Sequence, residues 1–250
     1  MTSPDEPKNI LVTGASSGIG YAVASHLLRQ GRHVLLSGRN EERVKDLLVA
    51  HPGRSFWNRA DLAEQSDVVR LAHQSREELG AVDAVVHAAG VIRHSLLARI
   101  KETDLLEQMA VNLIAPIRLT QLLLPFVTDG GCFVFISSTL AKRPIETSSV
   151  YSASKGGLNA FMRATAIAGA PRGIRANSLS LGLVDTPMLQ SPRGSGPKET
   201  SIAKASFDEL HLLNRMAEPT EVADAVCFVL DTPWLTGSDV LFDGGLSIQP

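Results

Sequence analysis

Short apolar runs alternate along the chain with longer segments whose apolar positions recur every three or four residues. NILVT (9–13), HVLLSG (33–38), SFWNRADL (55–62), DAVVHAAG (83–90), GCFVFISS (131–138), IRANSLSLG (174–182) and DVLFDGG (239–245) read as strands. Between them, IGYAVASHLLRQG, EERVKDLLVA, QSDVVRLAHQSREELG, roughly 102–125, 149–170 and EVADAVCFVL carry helical spacing. The strand runs show little polar alternation, which predicts burial on both faces, as in a parallel sheet. Repeated strand–helix units with right-handed crossovers imply an α/β fold, a doubly wound parallel sheet of Rossmann type. No linker or repeat divides residues 1–250, so a single domain is expected. A Gly/Pro/Ser-rich stretch over 187–212, with Arg193, Lys198 and Lys204 as solvated charges, reads as a helical insertion on the substrate side.

Composition narrows the function classes. Hydrophobic residues at 44% and charged residues at 20% fit a soluble globular enzyme. A net charge of −2 gives no electrostatic case for a nucleic-acid partner. No apolar run is long enough for a membrane span. The polar segment MTSPDEPKN lacks the apolar centre of a signal peptide, so a cytoplasmic location is expected. Cys132 and Cys227 each sit in an apolar run and read as buried thiols. The histidines include no HExxH pair, and no metal site is expected.

Two stretches carry candidate chemistry. TGASSGIG (13–20) lies between the first strand and the first helix. Its small residues let the backbone turn sharply and approach a pyrophosphate at the helix N-terminus. VYSASKGG (150–157) puts Tyr151 and Lys155 one helical turn apart on one face. That pair is either an ordinary surface contact or an acid whose pKa is drawn toward neutrality. A unit charge at about 4 Å and an effective dielectric near 20 contributes roughly 4 kcal/mol, or about three pKa units. This is a ceiling, because burial of the phenolate opposes it.

TGASSGIG, Asp61-Leu62, HAAG (87–90), VNL (111–113), ISS (136–138), YSASK (151–155) and VLFDGG together resemble the short-chain dehydrogenase/reductase family over about 8–248. The resemblance implies a catalytic tetrad of Asn112, Ser138, Tyr151 and Lys155. A carbonyl that receives hydride develops negative charge on oxygen, so it needs a proton donor and a hydrogen-bond donor. Tyr151 would give that proton and Lys155 would lower its pKa and hold the nicotinamide ribose. Ser138, thirteen positions before Tyr151, would polarise the substrate oxygen, and Asn112 would hold a water in a proton relay. Ser137 points to the opposite side of its strand. Ser152 and Ser154 read as helix-surface or packing residues, and His87 and His94 as structural.

The resemblance also assigns the cofactor residues. Gly14, Ser16, Ser17, Gly18, Ile19 and Gly20 form the phosphate loop, and Asp61 and Leu62 hold the adenine ring. Ala88, Ala89 and Gly90 admit the cofactor closely, while Gly182, Val184 and Thr186 meet the carboxamide. Arg39 ends the second strand, where an acid would pair with a ribose hydroxyl and an arginine suits a 2′-phosphate. Ser17 stands where many NADP enzymes of the family carry a second basic residue. NADP(H) is therefore preferred, with NAD(H) the alternative. Leu181 replaces the usual proline before Gly182, which predicts a relaxed loop.

GVIRHSLLARIKETD (90–104), with Arg93, Leu97 and Arg99, resembles the corresponding segment of 3-oxoacyl-carrier-protein reductases. Arg172 stands where a carrier-docking arginine occurs in those enzymes, although TDGG (128–131) lacks the basic residue often found there. The first expectation is an NADPH-dependent ketoreductase acting on a ketone or 3-oxoacyl thioester, either free or on a carrier protein. The alternative is an NAD(P)-dependent secondary-alcohol dehydrogenase on a free steroid, polyol or natural-product ketone. A non-catalytic dinucleotide sensor is a third reading; it would be free to lose Tyr151 or Lys155, and this chain keeps both. A homo-oligomer, a tetramer first and a dimer next, is implied by the same resemblance.

Overall fold

The structure, a computed structural model, describes residues 8–190 and 207–249. The middle of the 187–212 stretch, including Arg193, Lys198 and Lys204, lies outside the described residues. Among the described residues, seven strands build one sheet: β1 (Asn9–Thr13), β2 (His33–Gly38), β3 (Ser55–Arg59), β4 (Val82–His87), β5 (Val127–Ser138), β6 (Arg175–Leu181) and β7 (Asp239–Phe242). Every pairing is parallel and the order is β3-β2-β1-β4-β5-β6-β7. The chain therefore reverses its winding direction between β1 and β4, the place where such sheets open a ligand crevice.

Strand residues alternate between two cores. Ile10, Val12, Val34 and Leu36 face one layer, which holds α1 (Gly18–Arg29), α2 (Lys45–Ala50) and a later helix over 219–231. Leu11, Leu35, Phe133 and Phe135 face the other, which holds α3 (Gln65–Leu79), α5 (Ala115–Leu123) and α6 (Ser149–Gly169). Both faces of each central strand are apolar because both are covered, which explains the weak polar alternation.

Four local differences from the sequence reading have physical reasons. The helical stretch over 102–125 divides into α4 (Glu102–Met109), a π-helical turn at Ala110–Ile114, and α5. The 41–50 segment begins as a 3-10 turn at Glu41–Val44, capped when Asn40 accepts from the Glu42 amide at 3.1 Å. β5 starts at Val127 because Val127 pairs with Val82; the register then shifts and resumes at Ala84 with Cys132. Leu181 does not relax its loop. It is buried and continues the ladder between Ser138 of β5 and Phe242 of β7, and the Gly182 amide donates to the Phe242 carbonyl at 3.0 Å. A leucine keeps the strand pairing where a proline would remove a donor. Downstream of β6 stand the short α7 (Pro187–Gln190) and α8 (Pro219–Asp231). Among the described residues, no helix is long and apolar enough to cross a membrane.

Candidate active site

A cleft of about 180 Å³ lies beyond the carboxyl ends of β1, β2 and β4, at the reversal point. Its floor is the 14–20 loop. Gly14 holds φ +68°, and a Cβ there would stand 2.7 Å from the Ala89 Cα. A Cβ on Gly20 would stand 2.3 Å from the Gly14 carbonyl oxygen, so α1 can start this close to the loop only with glycine. Ser16, Ser17, Gly18 and Ile19 complete that wall. Asp61 and Leu62, just past β3, and Ala88, Ala89 and Gly90, just past β4, form the facing walls. Arg39 is exposed at the rim, and among the described residues no carboxylate pairs with it.

Several of the lining positions involve residues with no individual role in the sequence reading. Thr13 Oγ1 accepts from the Ala88 and Ala89 amides at 3.2 and 3.3 Å and ties the exits of β1 and β4 together. Ser37, Gly38, Val91 and Val111 also line the cleft. Gly38 has a signal in hindsight, since a Cβ there would meet Ser16 Oγ at 2.8 Å. Thr186 borders the cleft beside Gly18. Val184 is buried and bridges to Ala217, and Gly182 is held by β7; neither lines this cavity.

The four catalytic candidates converge next to it. Gly90 is the junction, since a Cβ there would lie 3.5 Å from Asn112 Oδ1 and 3.7 Å from Lys155 Nζ. Asn112 sits in the π-helical turn, fully buried, and brackets one peptide unit. Its Oδ1 accepts from the Val91 amide at 2.8 Å, and its Nδ2 donates to the Val91 carbonyl at 2.8 Å and to Ser154 Oγ at 3.2 Å. Ser154 in turn donates to the Tyr151 carbonyl at 2.7 Å, so it is a buried packing residue of the site rather than a surface one. A one-residue widening of the helix is a common way to turn a side chain into a functional site.

Ser138 ends β5 and caps the following 3-10 turn (Thr139–Ala141), accepting from the Leu140 amide at 3.2 Å. The neighbouring Ser137 hydroxyl is buried on the other side and finds no partner among the described residues. Lys155, 3% exposed, donates to the Ile136 carbonyl at 2.7 Å, and its Nζ stands 5.7 Å from the centre of the Tyr151 ring. The electrostatics differ from the expected ones. Burial pushes the Tyr151 phenol up to about 12, against the lowering effect of a hydrogen bond with Ser138. Tyr151 is half-buried rather than enclosed, so access to solvent moderates that rise. Lys155 does not depress it; burial drives the lysine itself from 10.5 down to about 8.

Other candidates lie elsewhere. His87 is buried, stacks on Phe135 at 4.8 Å, and shares a hydrogen bond with Thr120 at 3.0 Å. Burial, with the nearby Lys155 charge, takes its pKa down to about 3. His94 is exposed. Cys132 and Cys227 are free, buried thiols. Arg93 is paired with Glu107, and Arg172 with Asp129 and the Leu124 and Val127 carbonyls, while Arg99 is exposed.

A doubly wound sheet with a glycine-rich loop at its switch point, and a serine, tyrosine and lysine gathered beside it, defines a dinucleotide-dependent oxidoreductase. A family model described as "Enoyl-(Acyl carrier protein) reductase" matches residues 14–247. A 3-oxoacyl-[acyl-carrier-protein] reductase of Homo sapiens is 34% identical over 239 residues, covering 95% of this chain and 97% of the relative. Carbonyl reductase family member 4 of Danio rerio is 32% identical over 240 residues, with 95% and 97% coverage. Among solved structures, a short-chain dehydrogenase from Burkholderia cenocepacia J2315 in complex with NADP superposes with a TM-score of 0.86 at 28% identity, covering 96% of this chain and 98% of that one. A blue fluorescent protein from a metagenomic library in complex with NADPH superposes with a TM-score of 0.87 at 27% identity, with 96% and 98% coverage. The chain belongs to the short-chain dehydrogenases/reductases and is similar to both 3-oxoacyl-[acyl-carrier-protein] reductases and carbonyl reductases of that family. It is an NAD(P)-dependent oxidoreductase acting on CH–OH or ketone groups.

Proposed function

We propose that the protein is an NADPH-dependent ketoreductase that converts a ketone or 3-oxoacyl thioester to a secondary alcohol. The observation that carries this reading is the convergence of Ser138, Tyr151 and Lys155 beside Gly90, at the end of a cleft whose far rim presents Arg39. The cleft fits a dinucleotide: its floor cannot accept a Cβ at Gly14 or Gly20, and its open cation suits a 2′-phosphate. Bound there, the nicotinamide cofactor supplies the hydride. Asp61 would hold the adenosine end and Thr186 the carboxamide end.

Tyr151 then protonates the oxygen of the reduced carbonyl. A phenol held near 12 stays protonated throughout the neutral range, as a proton donor must. Ser138 hydrogen-bonds the same oxygen and orients it toward the phenol. Lys155, with a pKa near 8, exchanges protons readily at neutral pH and can return one to Tyr151. Asn112 holds Val91 and Ser154 in place around that exchange and would hold a relay water.

One observation favours the alternative of a free small ketone or alcohol over a carrier-held acyl chain. Arg172, which stands where a carrier-docking arginine occurs, is engaged within the chain, and so is Arg93 of the 90–104 segment, while Arg99 is exposed. We also take the enzyme to be a cytoplasmic homotetramer. Exposed Leu105, Leu106 and Ile114 along α4 and the π-helical turn, and exposed Phe228, Trp234 and Leu241 near the β7 edge, supply two apolar faces for that assembly. Light scattering on the purified protein checks the mass. The deciding experiment measures oxidation of NADPH and of NADH with a β-ketoacyl thioester and a panel of free ketones. Turnover with NADPH on at least one carbonyl is expected. Tight NADPH binding without turnover on any carbonyl would refute the ketoreductase reading and favour a sensor.

A further inference from the structure

The Asp239 carboxylate, at the start of β7, gathers donors from three other parts of the fold. Its Oδ1 accepts from Ser178 and Ser180 of β6 at 2.9 and 2.6 Å. Its Oδ2 accepts from Asn159 of α6 at 3.2 Å and pairs with Lys142 Nζ at 2.7 Å. The Asp239 side chain is 7% exposed, whereas that of Lys142 is 62% exposed. Burial acts to raise the Asp239 pKa, but hydrogen bonds from Lys142, Ser180 and Ser178 outweigh it and keep the group below the usual carboxylate range.

Two of these donors lead directly to the catalytic candidates. Lys142 closes the 3-10 turn that Ser138 opens, its amide donating to the Thr139 carbonyl at 3.0 Å. Asn159 lies four residues beyond Lys155 and eight beyond Tyr151, on the same face of α6. Ser180 pairs in register with Ser137, next to Ser138. One buried charge thus links the Ser138 turn and the Tyr151–Lys155 helix to the same edge of the sheet. Arg143, next in sequence, adds a weaker tie by donating to the Ser247 carbonyl.

We propose that Asp239 and Lys142 are positioning residues, a latch that holds the Ser138 turn in register with α6 so that Ser138 and Tyr151 meet the same substrate oxygen. The proposal rests on the carbonyl-reduction reading above. Neither residue touches substrate or cofactor; both act through the turn. Because Arg143 still tethers the turn, breaking the latch loosens it without unfolding it.

Lys142→Ala is the direct test, since an exposed lysine is not needed for folding. A catalytic group displaced by about 1 Å can cost ~100-fold in rate, so a partly loosened turn is expected to lower kcat about 10-fold. The dissociation constant for NADPH, read by fluorescence titration, stays unchanged. Amide hydrogen exchange rises at Leu140, Ala141 and Arg143 and stays low in α6. Lys142→Arg restores kcat, and Asp239→Asn adds little in the Lys142→Ala background. An unchanged kcat in Lys142→Ala, a loss that arginine fails to restore, or unchanged exchange in the turn each overturns the latch. If the wild-type enzyme turns over no carbonyl at all, the ketoreductase reading fails instead, and the exchange measurement alone decides whether the turn is latched.

Discussion

Lys155 should make this protein less stable than it could be, and Lys155→Met should expose the cost. The ammonium is 3% exposed and its only hydrogen bond among the described residues is to the Ile136 carbonyl at 2.7 Å. Burial lowers its pKa from 10.5 to about 8. At about 1.4 kcal/mol per pH unit, that difference amounts to about 3 kcal/mol. Below pH 8 the lysine is charged in both folded and unfolded chains, and the folded state bears the whole penalty. Between pH 8 and 10.5 the unfolded chain holds a proton that the folded chain has released, so stability rises with pH through that window.

Methionine fills a similar volume without charge, at the loss of one hydrogen bond worth about 1 kcal/mol. The net expectation is a variant about 2 kcal/mol more stable at pH 7, with Tm raised roughly 4–8 °C. The assay is denaturant unfolding of both proteins at a series of pH values from 6 to 10. Taking the difference between the two removes contributions they share, such as Cys132 and Cys227, whose thiols burial raises to about 11 and which therefore lower stability above pH 9 in both. The gain should be constant up to pH 8 and shrink above it. A variant less stable than the parent at pH 7, or a gain that is flat to pH 10, would refute the account of Lys155 as a desolvated charge. Activity should be lost in the same variant, as expected where a functional group is held at the expense of stability.

Tyr151→Phe should reduce turnover by roughly 100- to 10,000-fold with little change in NADPH binding, measured by steady-state kinetics and titration; near-normal turnover sinks the proton-donor role. Arg39→Ala should raise KM for NADPH about 10- to 100-fold, the worth of a charge-assisted contact, and leave KM for NADH unaltered; equal changes for both cofactors refute the 2′-phosphate role. His87 is held neutral, with its pKa lowered by burial to about 3 from 6.5, so it contributes stability that is present above pH 6.5 and lost as pH falls toward 3. That loss is about 5 kcal/mol when fully developed. Acid unfolding of His87→Gln should show a flatter pH dependence across that window, and an unchanged slope contradicts it.

The architecture was legible because it depends on local pattern. The central residues of strands such as 9–13 and 33–38 are apolar on both faces since both faces are covered, and α6 matched its helical spacing closely. The catalytic candidates and phosphate loop were legible as motifs, and the fold brings them to one end of the sheet. The π-helical turn around Asn112 was not, because one extra residue in a turn leaves the apolar spacing on either side unchanged. Thr13 opens the TGASSGIG motif, but its tie to the Ala88 and Ala89 amides was not legible, since a threonine ending a strand is ordinary until β4 lies beside it. The Asp239 cluster joins positions 142, 159, 178, 180 and 239, and no local pattern signals a contact at such separations. Leu181 misled for a related reason: whether a strand continues depends on its two neighbours, Ser138 and Phe242.

The tyrosine–lysine spacing shows most clearly what sequence alone leaves open. Residues four apart on a helix share a face, yet sharing a face fixes neither where an ammonium points nor how dry it is. Here Lys155 reaches past the ring to the Ile136 carbonyl, and burial dominates both groups. The two shifts run in opposite senses and toward neutral forms: a phenol that keeps its proton and an amine that readily gives one up. A pair set this way favours giving a proton to a newly formed alkoxide over taking one from an alcohol. Oxidation in the reverse direction needs Tyr151 ionised, which the protein alone opposes, so it should demand a higher pH than reduction does. Comparing pH profiles for the two directions on one alcohol–ketone pair tests this directly, and coincident optima would show that Tyr151 is acidified by something other than its surroundings in the folded chain.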